Sequence, residues 1–313
     1  MVATGVVPLR RNRDFVLLQV GQALSTVGSS SSAIAYPLLV LALTHSAPKA
    51  GIVGFARLAP YGLFGLLAGV ASDRFDRKRL MLAGDAIRAL ALISIVVALA
   101  FDSLSFVQIV VVAFVEGTMF VFFNVAEMGA LRSLVAARQL PVAAAAEQAR
   151  LGTVELLGPP LGGALFTAAR SLPFLVDAIS YAFSLASLVA IRAPFQEERE
   201  PVQGEPLRSQ IAEGIHWLWR QRFLRTCAIL ATWANLTFEA LLLVLIVEGH
   251  RQGLSGGEIG PLLAGVLLGS LSARETVGIF VGILAILAVV ATMSSAIRTA
   301  PSLTELDRLP APG

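Results

Sequence analysis

The chain has 313 residues, enough for two soluble domains, yet 56% are hydrophobic, only 14% are charged and the mean hydropathy is +0.76. An average globular domain carries roughly 25% charge, so a water-soluble globule is excluded: polar surface is too scarce to cover one, and lipid is the solvent this composition needs. The net charge of +3 does not mark a nucleic-acid binder, because the basic residues sit in short clusters between apolar stretches.

Cys227 is the only cysteine, which excludes a disulfide framework and a cysteine-based metal cluster. Of the 24 basic residues only Lys49 and Lys78 are lysine, a skew that fits a GC-rich bacterial genome. Residues 1–14 are basic, and the apolar run after them is too long for a signal peptide, so it reads as a first span that stays in the membrane.

A crossing takes about 20 mostly apolar residues. Such runs occur at 15–43, 50–72, 80–101, 105–130, 152–168, 172–191, 223–247, 259–271 and 276–297, the eighth being marginal in length. Backbone groups in lipid must be satisfied within their own segment, so these runs are helices. Their lack of two-residue alternation also disfavours a membrane barrel. The expected fold class is therefore an all-α polytopic membrane protein of about eight or nine spans.

Arginine and lysine set the orientation. Arg10, Arg11 and Arg13 precede the first run, and Arg74, Arg77, Lys78 and Arg79 separate the second and third. Arg132, Arg138 and Arg150 fall between the fourth and fifth, and Arg192, Arg208, Arg220, Arg222 and Arg225 between the sixth and seventh. The alternate loops hold only Lys49 and Arg170. This pattern places the N-terminus in the cytoplasm, with six helices returning there. The long polar stretch 193–221 begins with Glu197, Glu198, Arg199 and Glu200, then turns amphipathic, with Ile211, Ile215 and Leu218 on one helical face, as in a helix lying along the membrane. The domains expected are a six-helix bundle (1–192), a cytoplasmic linker (193–222), a partial second bundle (223–298) and a polar tail (299–313).

Between the second and third runs the chain reads Gly69-Val70-Ala71-Ser72-Asp73-Arg74-Phe75-Asp76-Arg77-Lys78-Arg79. A glycine there lets helices approach closely, and an aspartate beside a run of bases can latch one conformation and release it in another. A plain topological anchor is the bland reading of any basic loop. The stretch resembles the G-x-x-x-D-R-x-x-R-K loop of the major facilitator superfamily, and Asp76, where many members have glycine, is similar to the macrolide-efflux and enterobactin-exporter branch. The resemblance extends to Asp85 and Arg88, an acid–base pair at i,i+3, and to Gly158-Pro159-Pro160-Leu161-Gly162-Gly163, a Gly-Pro motif that allows tight contact and a helix bend. It covers residues 1 to about 255.

That Gly-Pro motif is matched again by Gly260-Pro261-Leu262-Leu263-Ala264-Gly265, 102 residues later. Ala190-Ile191-Arg192 is matched by Ala296-Ile297-Arg298. The superfamily's two related halves are each about 200 residues, so the resemblance implies that about three helices of the second half are absent, with a join near 253–258. Nine spans then leave the tail outside; eight return it inside.

Charges within spans are costly and read as functional by default. Glu116 lies nearest a span's middle and is the first candidate for proton coupling or substrate binding, followed by Glu239; Arg57 can pair with a neighbour or snorkel outward. Asp85, Glu127, Glu155 and Asp177 stand nearer helix ends, where solvated or structural roles are expected. Phe120, Phe122 and Phe123 are candidates to line an apolar cavity, though packing is the commoner role of phenylalanine. No zinc spacing, nucleophile elbow or phosphate loop occurs, so neither an enzyme nor a cofactor is expected. The resemblance implies a proton-coupled efflux transporter of small amphiphilic compounds, drug-like or siderophore-like, working by alternating access in a bacterial inner membrane. Its expected partners are the lipid bilayer, a small-molecule substrate and the proton gradient, and its oligomeric state is unknown. The short second half keeps another reading open: a transport-inactive remnant, or a membrane subunit that pairs with another chain.

Overall fold

The computed structural model describes residues 8–196, 216 and 219–267, and these form eight α-helices with no strand among them. The helices are α1 (Arg13–Thr44), α2 (Ala47–Arg74), α3 (Arg77–Ala100), α4 (Phe106–Leu134), α5 (Leu140–Ala168), α6 (Leu172–Ala190), α7 (Arg222–Arg251) and α8 (Gly256–Leu267). The expected span 276–297, the tail 299–313 and most of the amphipathic stretch lie outside the described residues, although His216, Trp219 and Arg220 are helical.

Local chemistry sets the helix ends. Asn12, Asp76 and Ser105 each accept a backbone N–H of the first turn of α1, α3 and α4, at 3.2, 2.9 and 3.1 Å. Asp76 is therefore the N-cap of α3, which accounts for an acid where glycine was the commoner expectation. Proline stands in the first turn of α2, α5 and α6, where its missing N–H costs nothing. α1 stops at His45, a left-handed residue with φ 51°, whose N–H reaches Leu41 O at 2.9 Å. α8 opens on a capping box in which Glu258 accepts from both the N–H and the hydroxyl of Ser255 at 2.8 Å.

Among the described residues, six helical stretches are long and apolar enough to cross a membrane: α1, α2, α3, α4, α6 and Thr232–Arg251 of α7. Their outward side chains, such as Phe55, Leu63, Leu90, Val107 and Phe183, are exposed and apolar, as lipid-facing residues are. The molecule is an all-α polytopic membrane protein. α5 departs from expectation, since it begins twelve residues before the apolar run that marked it. Arg150 is thus a helix residue rather than a loop base, because alanines 143–146 carry the helix through a stretch whose charges hide it from a hydropathy reading.

The chain forms two compact units, Met1–Glu205 with Leu243–Leu271, and Pro206–Leu242 with Ser272–Gly313. In the first, α1 is central and packs on α2, α5 and α6, while α4 packs on α2 and α3, and α3 on α6. Small residues allow these contacts. Gly21 and Gly28 of α1 lie on Ser187 and on Ser180 and Asp177 of α6, while Gly158 and Gly162 of α5 lie on Ser30 and Ser31 of α1. Lipid supplies no hydrophobic drive between helices, so such close contact is what holds them. The two matched Gly-Pro segments also meet, with Gly163 on Gly256 and Gly260 on the Pro159 carbonyl, while Gly257 N–H donates to Thr167 Oγ1 at 2.7 Å. The Gly-Pro motif serves as a packing surface on both sides, and α5 remains helical through Pro159 and Pro160. In the second unit, Arg225 donates to Trp219 O at 3.2 Å with its guanidinium over the indole ring.

Candidate functional site

Polar side chains from five helices meet in the interior of the first unit. Glu116 on α4 is 2% exposed. Tyr36 of α1 donates to its Oε2 at 2.7 Å, Tyr181 of α6 donates to its Oε1 at 3.4 Å, and Arg57 of α2 stands 3.7 Å away. Arg57 therefore pairs inward rather than snorkelling, and its guanidinium also lies over the Tyr36 ring.

Asp85 and Arg88 of α3 form a buried ion pair, and Ser184 of α6 donates to Asp85 Oδ2 at 2.5 Å. Gln22 of α1 extends this contact, donating to Ser184 at 2.9 Å. Arg88 reaches the Tyr181 hydroxyl at 3.4 Å and lies over the rings of Tyr181 and Phe123, although its Nε has no hydrogen-bond partner among the described residues. Asp177 of α6 is wholly buried. Three hydroxyls surround it, those of Ser29 and Ser180 at 3.3 Å and Ser32 at 2.5 Å. Asp85 and Asp177 are thus interior groups rather than solvated ones at helix ends: Ser184 of α6 meets Asp85, and Gly28, Ser29 and Ser32 of α1 close over Asp177.

A second cluster joins α1, α4 and α5. Arg150 pairs with Glu147 and, at 3.4 Å, with Glu127, and it donates to Thr26. Gln19 donates to Glu147 at 3.1 Å. Glu127 is buried here, and with Glu147 it lines a small cleft completed by Leu18, Gln19, Asn124, Met128 and Leu131. Glu155 is exposed.

The α2–α3 turn holds the chain that leaves α6. Lys78 Nζ reaches Ile191 O at 2.7 Å, where its charge also meets the negative end of α6. Arg77 donates to Ser72 O at 3.2 Å and Phe195 O at 3.4 Å, and pairs with Asp73 at 3.4 Å. Gln196 reaches back to Asp73 O, and Asp14 accepts the N–H groups of Arg192 and Ala193. Arg74 closes α2. Gly69 is not the close-contact glycine: no described atom comes within 4 Å of where its Cβ would stand, whereas Arg77 lies against Gly129.

Sequence reading found Arg57, Asp85, Arg88 and Glu116 and missed Tyr36, Tyr181 and the central part played by Asp177. The run Ser29-Ser30-Ser31-Ser32 in the middle of a long apolar helix was the signal for the last of these. Phe123 is buried beneath Arg88, Phe120 lies beside Tyr61 and Phe122 beside Phe64. Glu239 falls within α7, but its side chain is outside the described residues. No group of three or more potential metal ligands occurs among the described residues.

The family model described as Major Facilitator Superfamily matches residues 18–301. The chain belongs to that superfamily. Among its relatives, the multidrug efflux pump Tap of Mycobacterium tuberculosis is 27% identical over 266 residues, covering 79% of this chain and 62% of the pump. The uncharacterized MFS-type transporter YfiS of Bacillus subtilis is 25% identical, covering 83% of this chain and 64% of its own length. Macrolide efflux protein A of Streptococcus pyogenes is 23% identical, covering 82% and 66%. The chain thus matches under two thirds of the length of these superfamily members. They are transporters and pumps, not enzymes.

Proposed function

We propose that the chain exports small amphiphilic compounds across a bacterial inner membrane by alternating access, driven by the proton gradient, with the cluster around Glu116 as its coupling element. The observation that carries this reading is the burial of Glu116, Asp85 and Asp177 with, among the described residues, Arg57 and Arg88 as the bases at the centre of the bundle. Protonating or neutralising such a cluster alters the pairing of five helices at once, so it can bias the side on which a cavity opens. The efflux functions named for Tap and macrolide efflux protein A support the substrate class. The arginine-rich ends support a cytoplasmic side for the N-terminus and the α2–α3 turn. There, Asp73, Arg74, Arg77 and Lys78 act as a latch on the segment after α6.

The test is accumulation of erythromycin and ethidium by bacteria lacking their own efflux pumps. Cells with the full chain in their membrane accumulate less of either compound, and an uncoupler or Glu116→Gln abolishes the difference. An inserted chain that changes neither accumulation overturns the reading. The second reading, a transport-inactive remnant or a subunit that needs another chain, is favoured by the 102-residue spacing of the repeat (Gly158 to Gly260). It predicts an inserted chain that changes accumulation only when a partner is co-expressed, or never.

A further inference from the structure

Three buried carboxylates share two arginines, and the pairing is unequal. Glu116 has Arg57 and Asp85 has Arg88, but Asp177 has no ion-pair partner among the described residues. Arg57 and Arg88 face it from α2 and α3, Glu116 from α4, Tyr36 from α1 and Tyr181 from its own helix. With all three carboxyls and both arginines ionised and the tyrosines neutral, the cluster carries one excess negative charge in a medium where an unpaired charge is very costly. One proton neutralises it.

Hydroxyl geometry indicates where that proton sits. Each serine around Asp177 has one hydrogen, and each also faces a main-chain acceptor. Ser180 meets Asp177 O at 2.7 Å, closer than the carboxylate at 3.3 Å, and Ser29 meets Ser25 O at 3.1 Å. Ser32 meets Ser29 O at 3.1 Å while lying 2.5 Å from Asp177 Oδ2. If Ser32 gives its hydrogen to that carbonyl, the short contact is filled by a proton on Asp177 donated to Ser32 Oγ. Glu116 differs: Tyr36 donates to it and Arg57 balances its charge.

The two carboxyls are joined. Asp177 Oδ1 lies 3.3 Å from Ser29 Oγ, which lies 2.9 Å from Tyr181 Oη, which lies 3.4 Å from Glu116 Oε1. We propose that the cluster's exchangeable proton resides on Asp177 and passes to Glu116 through the hydroxyls of Ser29 and Tyr181. Asp177 rotates its carboxyl so that the protonated oxygen turns from Ser32 to Ser29 and gives that proton to Ser29, Ser29 gives its own hydrogen to Tyr181, and Tyr181 gives its hydrogen to Glu116. Both hydroxyls are regenerated, Asp177 is left as the carboxylate, and Glu116, now neutral, releases Arg57.

This deepens the coupling role proposed above, but its test needs no substrate. The full chain, reconstituted in phosphatidylcholine and phosphatidylglycerol vesicles, is titrated while the infrared carbonyl stretch of protonated carboxyl groups is followed. A band at neutral pH that Ser32→Ala shifts and Tyr36→Phe leaves in place is the expected result, because Ser32 touches Asp177 and Tyr36 touches Glu116. Should Ser32→Ala not fold, Ser32→Cys, a weaker hydrogen-bond partner, shifts the band too. Asp177→Asn and Glu116→Gln each leave two carboxylates to two arginines, so both abolish it. A band shifted by Tyr36→Phe and not by the Ser32 variants overturns the assignment, as does the lack of any such band. The relay predicts that proton exchange between Asp177 and Glu116, followed in the infrared after a pH jump, slows in Tyr181→Phe, which removes the hydroxyl between Ser29 and Glu116. An unchanged rate in that variant overturns the relay. A chain that shows the Asp177 band yet moves neither erythromycin nor ethidium overturns transport and leaves this assignment standing.

Discussion

Gly117 of α4 lies directly against the main-chain carbonyl of Arg57 of α2, leaving no room for a side chain. That contact brings the helices close enough for Arg57 to meet Glu116, the residue beside the glycine. Gly117→Ala must push α2 away, since backbone cannot yield as a flexible side chain does. The expected cost is about 1–3 kcal/mol, read as a lower midpoint in thermal unfolding of the detergent-purified chain. Gly69→Ala, with no described neighbour to meet, is the control and stays within about 0.5 kcal/mol of the native chain. Equal midpoints for the two variants would remove the packing argument.

The Asp85–Arg88 pair is buried on both sides, at 0% and 3% side-chain exposure. Arg88→Met leaves Asp85 as an uncompensated interior charge, at a cost of about 3–5 kcal/mol. Adding Asp85→Asn recovers part of that loss, so the double variant is more stable than the sum of the singles predicts. Additive losses in a double-mutant cycle would show that the two side chains do not act as a pair.

Tyr36→Phe removes a 2.7 Å hydrogen bond to Glu116 and little else, since the ring keeps its edge-on contact with Phe174. A hydrogen bond to a charged group contributes about 1.5–3 kcal/mol, and that is the destabilisation expected. In the Glu116→Gln background the same substitution costs less, and chemical denaturation of both backgrounds checks it.

Lys78 holds Ile191 O, and Arg192, next along the chain, is exposed. Lys78→Ala frees the end of α6 and speeds trypsin cleavage after Arg192 in inverted membrane vesicles, with α6 itself still protected. An unchanged cleavage rate would mean that Asp14 and Arg77 suffice to hold the segment.

Topology is checked with paired reporters. A reporter active only in the cytoplasm works when fused after Arg192, and one active only outside works when fused after Asp102. The reverse pattern would invert the arginine-based orientation and, with it, the side assigned to the latch.

Much of this was readable along the chain. Hydropathy located the first four spans and α6 to within a few residues, because each helix satisfies its own backbone and carries its own lipid-facing surface. Glycine, aspartate and the bases at 69–79 marked the turn that grips the α6 end. The start of α5 was not readable, since Glu147 and Arg150 lower its hydropathy while packing against α1 and α4 keeps them in the interior.

What the sequence by itself determined was the solvent, the helices and the family, all of which rest on local composition and short motifs. Which buried acid has a base, and which does not, was decided only by the tertiary structure. Glu116 meets Tyr36 across 80 positions and Asp177 meets Ser32 across 145. Partners that far apart are chosen by how helices pack, through Gly28 and Gly117, and not by any periodicity along the chain.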